Sequence, residues 1–298
     1  MRSDRFMSEA GHAVVLLMLA AIHPALAQED DDAPFLRAGY TLGESATLGP
    51  RDAGVRSREY DLDVRFGSFA AAGGAVSAGL DYRYTRYEFH GLETRDWDLH
   101  RLRLPVVWRQ ARQDHEAIAM LAPGVATSSN RFQEPRDYAR DDLDLAAGFA
   151  IVKRASPAVR WTAGVLYDRR FGRPALYPTA GVILRRDAWT LRLVAPDPRF
   201  TWSPDTRLRW FAFIEPAGQQ WHALNAAANR RFDFRARAWR AAVGAEFQVL
   251  ERVAVRIHAG REFARRFELV DNRGQHVDES AADAAFAGLS VAFSGERR

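Results

Sequence analysis

The chain has no cysteine. That excludes a disulfide framework, metal centres built on thiolate and a lipid anchor on an N-terminal cysteine. Among 42 lysines and arginines there is one lysine, Lys153. A compositional preference for arginine accounts for this, so the basic pI of 9.7 does not point to nucleic acid. After residue 27 no stretch holds the ~20 apolar residues of a membrane-spanning helix. No long segment carries the i, i+3, i+4, i+7 stripe of an amphipathic helix either. The eight histidines are scattered without metal-ligand spacing. No glycine-rich phosphate motif follows a strand, and no G-x-S-x-G element is present. No cofactor or metal is expected.

What the sequence does have begins at its N-terminus. Arg2 and Arg5 precede an apolar core at residues 13–22, with Asp4 and Glu9 partly offsetting the positive charge. Ala25-Leu26-Ala27 is a small-x-small cleavage site. Residues 1–27 therefore read as a secretory signal peptide, too short in its apolar core to span a membrane as a helix. The expected mature chain, residues 28–298, starts with the solvated acidic run Glu29-Asp30-Asp31-Asp32.

The rest alternates with period two. In residues 236–263, Trp239, Ala241, Val243, Ala245, Phe247 and Val249 alternate with Arg240, Gly244, Glu246 and Gln248. After a break at Leu250-Glu251-Arg252, Val253, Val255, Ile257 and Ala259 alternate with Arg256, His258 and Gly260. This is an antiparallel hairpin with one apolar and one polar face. Tyr60, Leu62, Val64 and Phe66 likewise alternate with Glu59, Asp61, Asp63 and Arg65. Several charges on the inner face of one strand are costly in a dry soluble core. The apolar faces also end in aromatics: Tyr60, Tyr82, Tyr84, Trp108, Trp161, Trp189, Trp210 and Trp239.

These features favour an antiparallel up-and-down transmembrane β-barrel over a soluble sandwich. About fourteen strands are expected, or twelve if the weak pair around Trp210 and Trp221 merges. Pro105 is a weak point in its strand, since it lacks a ladder donor. The longer loops (43–55, 87–95, 128–140 and 264–280) all fall on one end of the meander, and short turns occupy the other. That is the outer-membrane pattern and puts both termini in the periplasm. The expected surroundings are outer-membrane lipid and lipopolysaccharide, the expected partner is the barrel assembly machinery, and the expected state is a monomer.

The candidate functional residues are those on the polar face: Asp61, Asp63, Arg65, Asp81, Arg83, Arg101, Arg103, Asp142, Asp144, Arg160, Arg207, Arg209, Arg240, Glu246 and Arg256. Two readings stand side by side. They form a polar pore for small polar or charged solutes, or a self-neutralising salt-bridge network in a closed structural or adhesion barrel. A lipid hydrolase is a further class, with His276, Ser280 and His115 as its nearest candidates. That class needs nucleophile and base within hydrogen-bond reach; the expectation is that the chain is not an enzyme.

Leu176-Tyr177-Pro178, the strand around Trp189, the stretch from Leu193 through Val194, Ala195, Pro196 and Asp197 to Pro198, and the terminal Gly288-Leu289-Ser290-Val291-Ala292-Phe293 carry a resemblance. The chain resembles an uncharacterised family of outer-membrane β-barrel proteins from Gram-negative proteobacteria. The resemblance implies location and fold, and no activity or substrate. One departure is that Phe293 is followed by Ser294 and four further residues, where such barrels often end on an aromatic.

Overall fold

The structure is a computed structural model that describes residues 35–49, 53–91, 96–225, 230–271 and 276–294. The expected signal peptide and the acidic run lie outside the described residues.

The chain forms one closed antiparallel sheet of fourteen strands. We number them β1 (Leu36–Gly43, continued by Ala46–Thr47), β2 (Gly54–Ala71), β3 (Gly74–His90), β4 (Trp97–Arg103 and Val106–Ala111), β5 (His115–Ser128), β6 (Leu143–Ser156) and β7 (Val159–Asp168). The second half is β8 (Ala175–Arg186), β9 (Trp189–Ala195), β10 (Arg199–Trp202), β11 (Leu208–Pro216 and Gln219–Asn225), β12 (Arg230–Leu250), β13 (Val253–Asp271) and β14 (His276–Ala281 and Ala284–Phe293). Each strand pairs with the next. Tyr40 of β1 lies opposite Tyr60 of β2 on one side and Leu289 of β14 on the other. The sheet therefore closes and leaves no unpaired edge.

Short turns set the register at one end. Ala72 and Gly73 have φ of 50° and 71°, the left-handed pair of a tight two-residue hairpin. The amide of Phe35 donates to the carbonyl of Phe293 at 2.8 Å, so the first and last strands meet at this turn end. At the opposite, loop end, residues 129–142 form a short helix (Ser129–Phe132) and two 3-10 turns (Pro135–Asp137 and Arg140–Asp142).

The count of fourteen holds, but its composition differs from the expected one. The segments around Trp210 and Trp221 do merge: both pair with β12, from Leu208 opposite Phe247 to Asn225 opposite Arg230. The strand that replaces the lost one is β10. Its four residues lie between Pro198 and Pro204 and are too few for a periodicity to register. The expected loops 87–95 and 264–280 are also shorter than the sequence suggested. Strand β3 runs to His90, β13 to Asp271, and β14 begins at His276. Pro105 falls in the break between the two segments of β4, but the sheet stays bonded across it: the amide of Gly79 donates to its carbonyl at 2.9 Å, and the amide of Leu104 donates to Pro123 at 2.7 Å.

The outer wall is apolar and exposed through the middle of the barrel. Val243 is 66% exposed, Ile257 49% and Phe247 41%. At the turn end, Trp189, Trp202 and Trp210 stand in register on three successive strands. At the loop end, the rings of Tyr40 and Tyr60 lie 4.8 Å apart, and those of Tyr60 and Tyr84 5.7 Å apart. Two aromatic belts bounding an apolar band are what a bilayer-spanning barrel requires.

Candidate functional site

The polar face of the alternation turns inward, and its charges are mostly tied together. Arg240 donates to Glu59 at 2.9 Å and to Glu262 at 2.7 Å. Arg83 extends this chain at one end, 4.0 Å from Glu59. Arg265 extends it at the other, 3.2 Å from Glu262. Separately, Arg101 grips both oxygens of Asp81 at 2.8 and 2.9 Å, and Arg103 donates to Asp144 at 2.5 Å. All four side chains of these two pairs are buried. Charges in such surroundings must be paired to be tolerated. Glycines make room for them: a Cβ on Gly39 would lie 2.6 Å from the carboxylate oxygens of Asp61.

The network does not fill the barrel. A cavity of about 240 Å³ remains at its centre. Asp61, Asp63, Arg83, Arg103, Arg240 and Arg256 from the expected set line it. The structure gives two of the expected residues other positions. Asp142 lies in the 3-10 turn before β6, where it receives Arg131 Nε at 3.1 Å and the Ala139 amide at 2.7 Å. It organises the loop and does not line the lumen, because β6 starts only at Leu143. Arg207 is exposed in the turn before β11. The side chain of Asp205 accepts the amides of Arg207 and Leu208 at 2.7 and 2.8 Å and delays the strand. Arg65, Arg160 and Arg209 sit on inward positions toward the turn end. Arg209 and Arg256 share Glu246, at 3.4 and 2.6 Å.

Sequence reading missed several cavity residues. Asp168 ends β7, and Arg170 and Asp197 come from connections at the loop end, where Arg170 donates to both carboxylates at 2.7 Å. Arg37, Arg192 and Glu215 stand on inward positions of strands that the sequence did show, and Arg199 on β10, which it did not. Parity along β9, once its register was known, would have found Arg192.

The loop end of the lumen is closed by hydrocarbon. Tyr87, Trp97, Leu99, Trp221, Phe234 and Phe267 converge there, all buried, with Leu99 and Phe234 fully so. Tyr87 lies 5.3 Å from Phe234 and 5.4 Å from Phe267, ring to ring. A backbone seam crosses the mouth at the level of this cap, where Leu99 lies opposite Ser128. β5 and β11 are six strands apart in the ring, yet His222 and Thr127 form a parallel bridge. The Thr127 hydroxyl lies 2.7 Å from the His222 carbonyl, and the Leu224 amide donates to Ser128 Oγ at 3.0 Å. The β11–β12 hairpin reaches this seam by bending. The pairing of β12 with β13 shifts register between Arg237 and Trp239, close to the break between the two segments of β11.

The histidine–serine candidates do not converge. His276 and Ser280 lie four residues apart on one extended segment, on the order of 13 Å at strand rise. His276 instead lies 3.1 Å from Glu268. His115 opens β5, 2.7 Å from Asp114 in the preceding turn. That hydrogen bond lowers the pKa of the Asp114 carboxyl.

No family model and no curated protein matches the chain. Similar solved structures include an outer-membrane channel from Pseudomonas putida F1, at 10% identity over 92% of this chain and 100% of that one, with a TM-score of 0.49. The toluene transporter TodX of P. putida is 9% identical over 90% of this chain and 91% of its own, with a TM-score of 0.39. The porin NanC is 8% identical over 87% and 98%, with a TM-score of 0.35. The closed barrel itself rests on this chain's own strand pairing.

Proposed function

We propose that the chain is exported, loses residues 1–27, and spans the bacterial outer membrane as a monomeric channel for small polar or charged solutes. Both termini then lie in the periplasm, and the capped loop end faces outward. The carrying observation is the charged cavity beneath an apolar cap. On this reading the apolar cap shuts the outer mouth, and the β11–β12 hairpin, bridged to β5, is the element that holds it shut. A second reading, a closed structural barrel, draws on the ion-pair chain from Arg83 through Glu59, Arg240 and Glu262 to Arg265.

Planar-bilayer conductance separates the two. Wild-type protein is compared with a variant whose residues 219–236 are replaced by a short Gly-Ser turn. A gated channel gives low wild-type conductance and steady conductance from the shortened variant. Silence from both, with both folded, leaves the structural barrel.

A further inference from the structure

Two arginines face each other where a sheet ordinarily avoids it. Arg192 of β9 and Arg199 of β10 are directly opposite in register, and both line the central cavity. Like charges directly opposite destabilise a strand pair. Their neighbours neutralise them only in part. Arg192 donates to the backbone carbonyl of Asp197 at 2.7 Å, and Arg199 stands 3.9 Å from Glu215. The Nε–H group of each is buried without an acceptor. An unsatisfied buried donor of this kind costs more than an ordinary hydrogen bond returns.

The wall around this pair is aromatic and aliphatic. The Arg199 guanidinium lies over the Phe213 ring at 5.3 Å, and that of Arg256 over Phe211 at 4.8 Å. Phe211 and Phe213 stack at 6.2 Å. Ile183 and Val194 line the same cavity. A planar guanidinium fork matches a carboxylate bidentately, and the rings beside it match an apolar body. We propose that this cavity binds small organic anions, with the carboxylate held by Arg192 and Arg199 and the apolar part against Phe211, Phe213, Ile183 and Val194. The proposal deepens the channel reading by naming the solute class, and it rests on that reading for transport but not for binding.

The test is therefore one of binding. Full-length barrel is refolded in detergent with benzoate or with benzylammonium, two probes of similar size and opposite charge, and the urea midpoint is read. A ligand that binds only the folded state raises the midpoint by mass action. Benzoate is expected to raise it in a concentration-dependent way, and benzylammonium to leave it in place. Arg192→Ala and Arg199→Ala should each weaken benzoate binding by about tenfold. Arg199→Lys keeps the charge without the fork and should fall between wild type and the alanine variant. If the alanine variants do not fold, the lysine variant and the two-probe contrast still decide. No shift with benzoate, or equal shifts with both probes, overturns the proposal. Binding intact beside a silent bilayer removes the channel reading and leaves the site.

Discussion

The two halves of this barrel wear the same strands inside out. In the half toward the turn end, Leu62 and Val64 of β2 face outward and Asp61 and Asp63 face the lumen. Toward the loop end of the same strand, Arg56 and Arg58 face outward and Val55 is fully buried inside. β12 does the same, with Val243 and Phe247 outside and Arg240 and Glu246 inside, but Phe234 and Ala236 inside and Arg235 outside. From Val55 to Val64 the pairing of β2 runs without a shift, so the switch is one of residue type and fits a change in the surroundings. Lipid outside demands apolar outward residues. Water outside permits a polar wall around a packed apolar core. On the proposed reading one sheet meets two solvents in series, and the packing suited to water also closes the lumen.

This comparison explains what the sequence made legible. Strict alternation with apolar residues outward identified the membrane half: Tyr60 to Phe66 and Val243 to Val249 could be read as strands with their faces assigned. In the water half, apolar positions move to the other face. In β13 the change is accompanied by Ala264 at φ of 52°, beyond which Phe267 and Leu269 pair with Glu279 and Val277. A reader expecting one parity sees a polar loop there. The cap was illegible for that reason, and the seam for another. The contact of Thr127 with His222 joins residues far apart in sequence and strands not adjacent in the ring, and no local pattern encodes it. The lumen was partly legible. Parity placed Asp61, Arg83, Arg103 and Arg256, while Arg170 and Asp197 come from connections that have no parity.

The largest effects should come from the buried parts of both halves. Phe234→Ala in the cap should cost about 3–5 kcal/mol, as for a fully buried aromatic. Phe149→Ala on the outer face, where the residue is 43% exposed, should cost clearly less. Urea unfolding in micelles reads both, and equal costs would mean the cap is not a packed core. In the lumen, Asp144→Ala strands Arg103, and breaking a buried pair in this way should cost about 3–5 kcal/mol. Replacing both partners by Leu and Met should restore most of that. No recovery in the double variant would show that the pair holds more than its own charge.

Next in size is the lipid face. Val243→Arg should cost about 2–4 kcal/mol if it lies near the bilayer midplane. Ser77→Arg, on an inward position opposite the buried Val107, should cost less because it meets the lumen. Folding yields into lipid vesicles compare the two. Equal penalties would mean that the faces are misassigned in the half where the sequence was clearest.

The smallest change in energy probes the boundary between the halves. Thr127→Val keeps the shape of the side chain and removes the hydroxyl that lies 2.7 Å from the His222 carbonyl and 3.0 Å from Asp142. One hydrogen bond is worth on the order of 1 kcal/mol net, so the barrel should remain folded. The seam, however, has few bonds to lose. The side-chain bonds of Thr127 with His222 and of Ser128 with Leu224 add to the backbone bridge that ties β5 to the β11–β12 hairpin. A loss of about 1 kcal/mol on a closed–open equilibrium multiplies the open fraction by roughly fivefold. The expected readout is more frequent openings in the bilayer at unchanged single-opening conductance, because the lumen itself is untouched. The same increase should follow from Ser128→Ala. If both variants conduct as the wild type does while Phe234→Ala opens the barrel, then hydrocarbon packing alone holds the mouth shut and the seam only orients it.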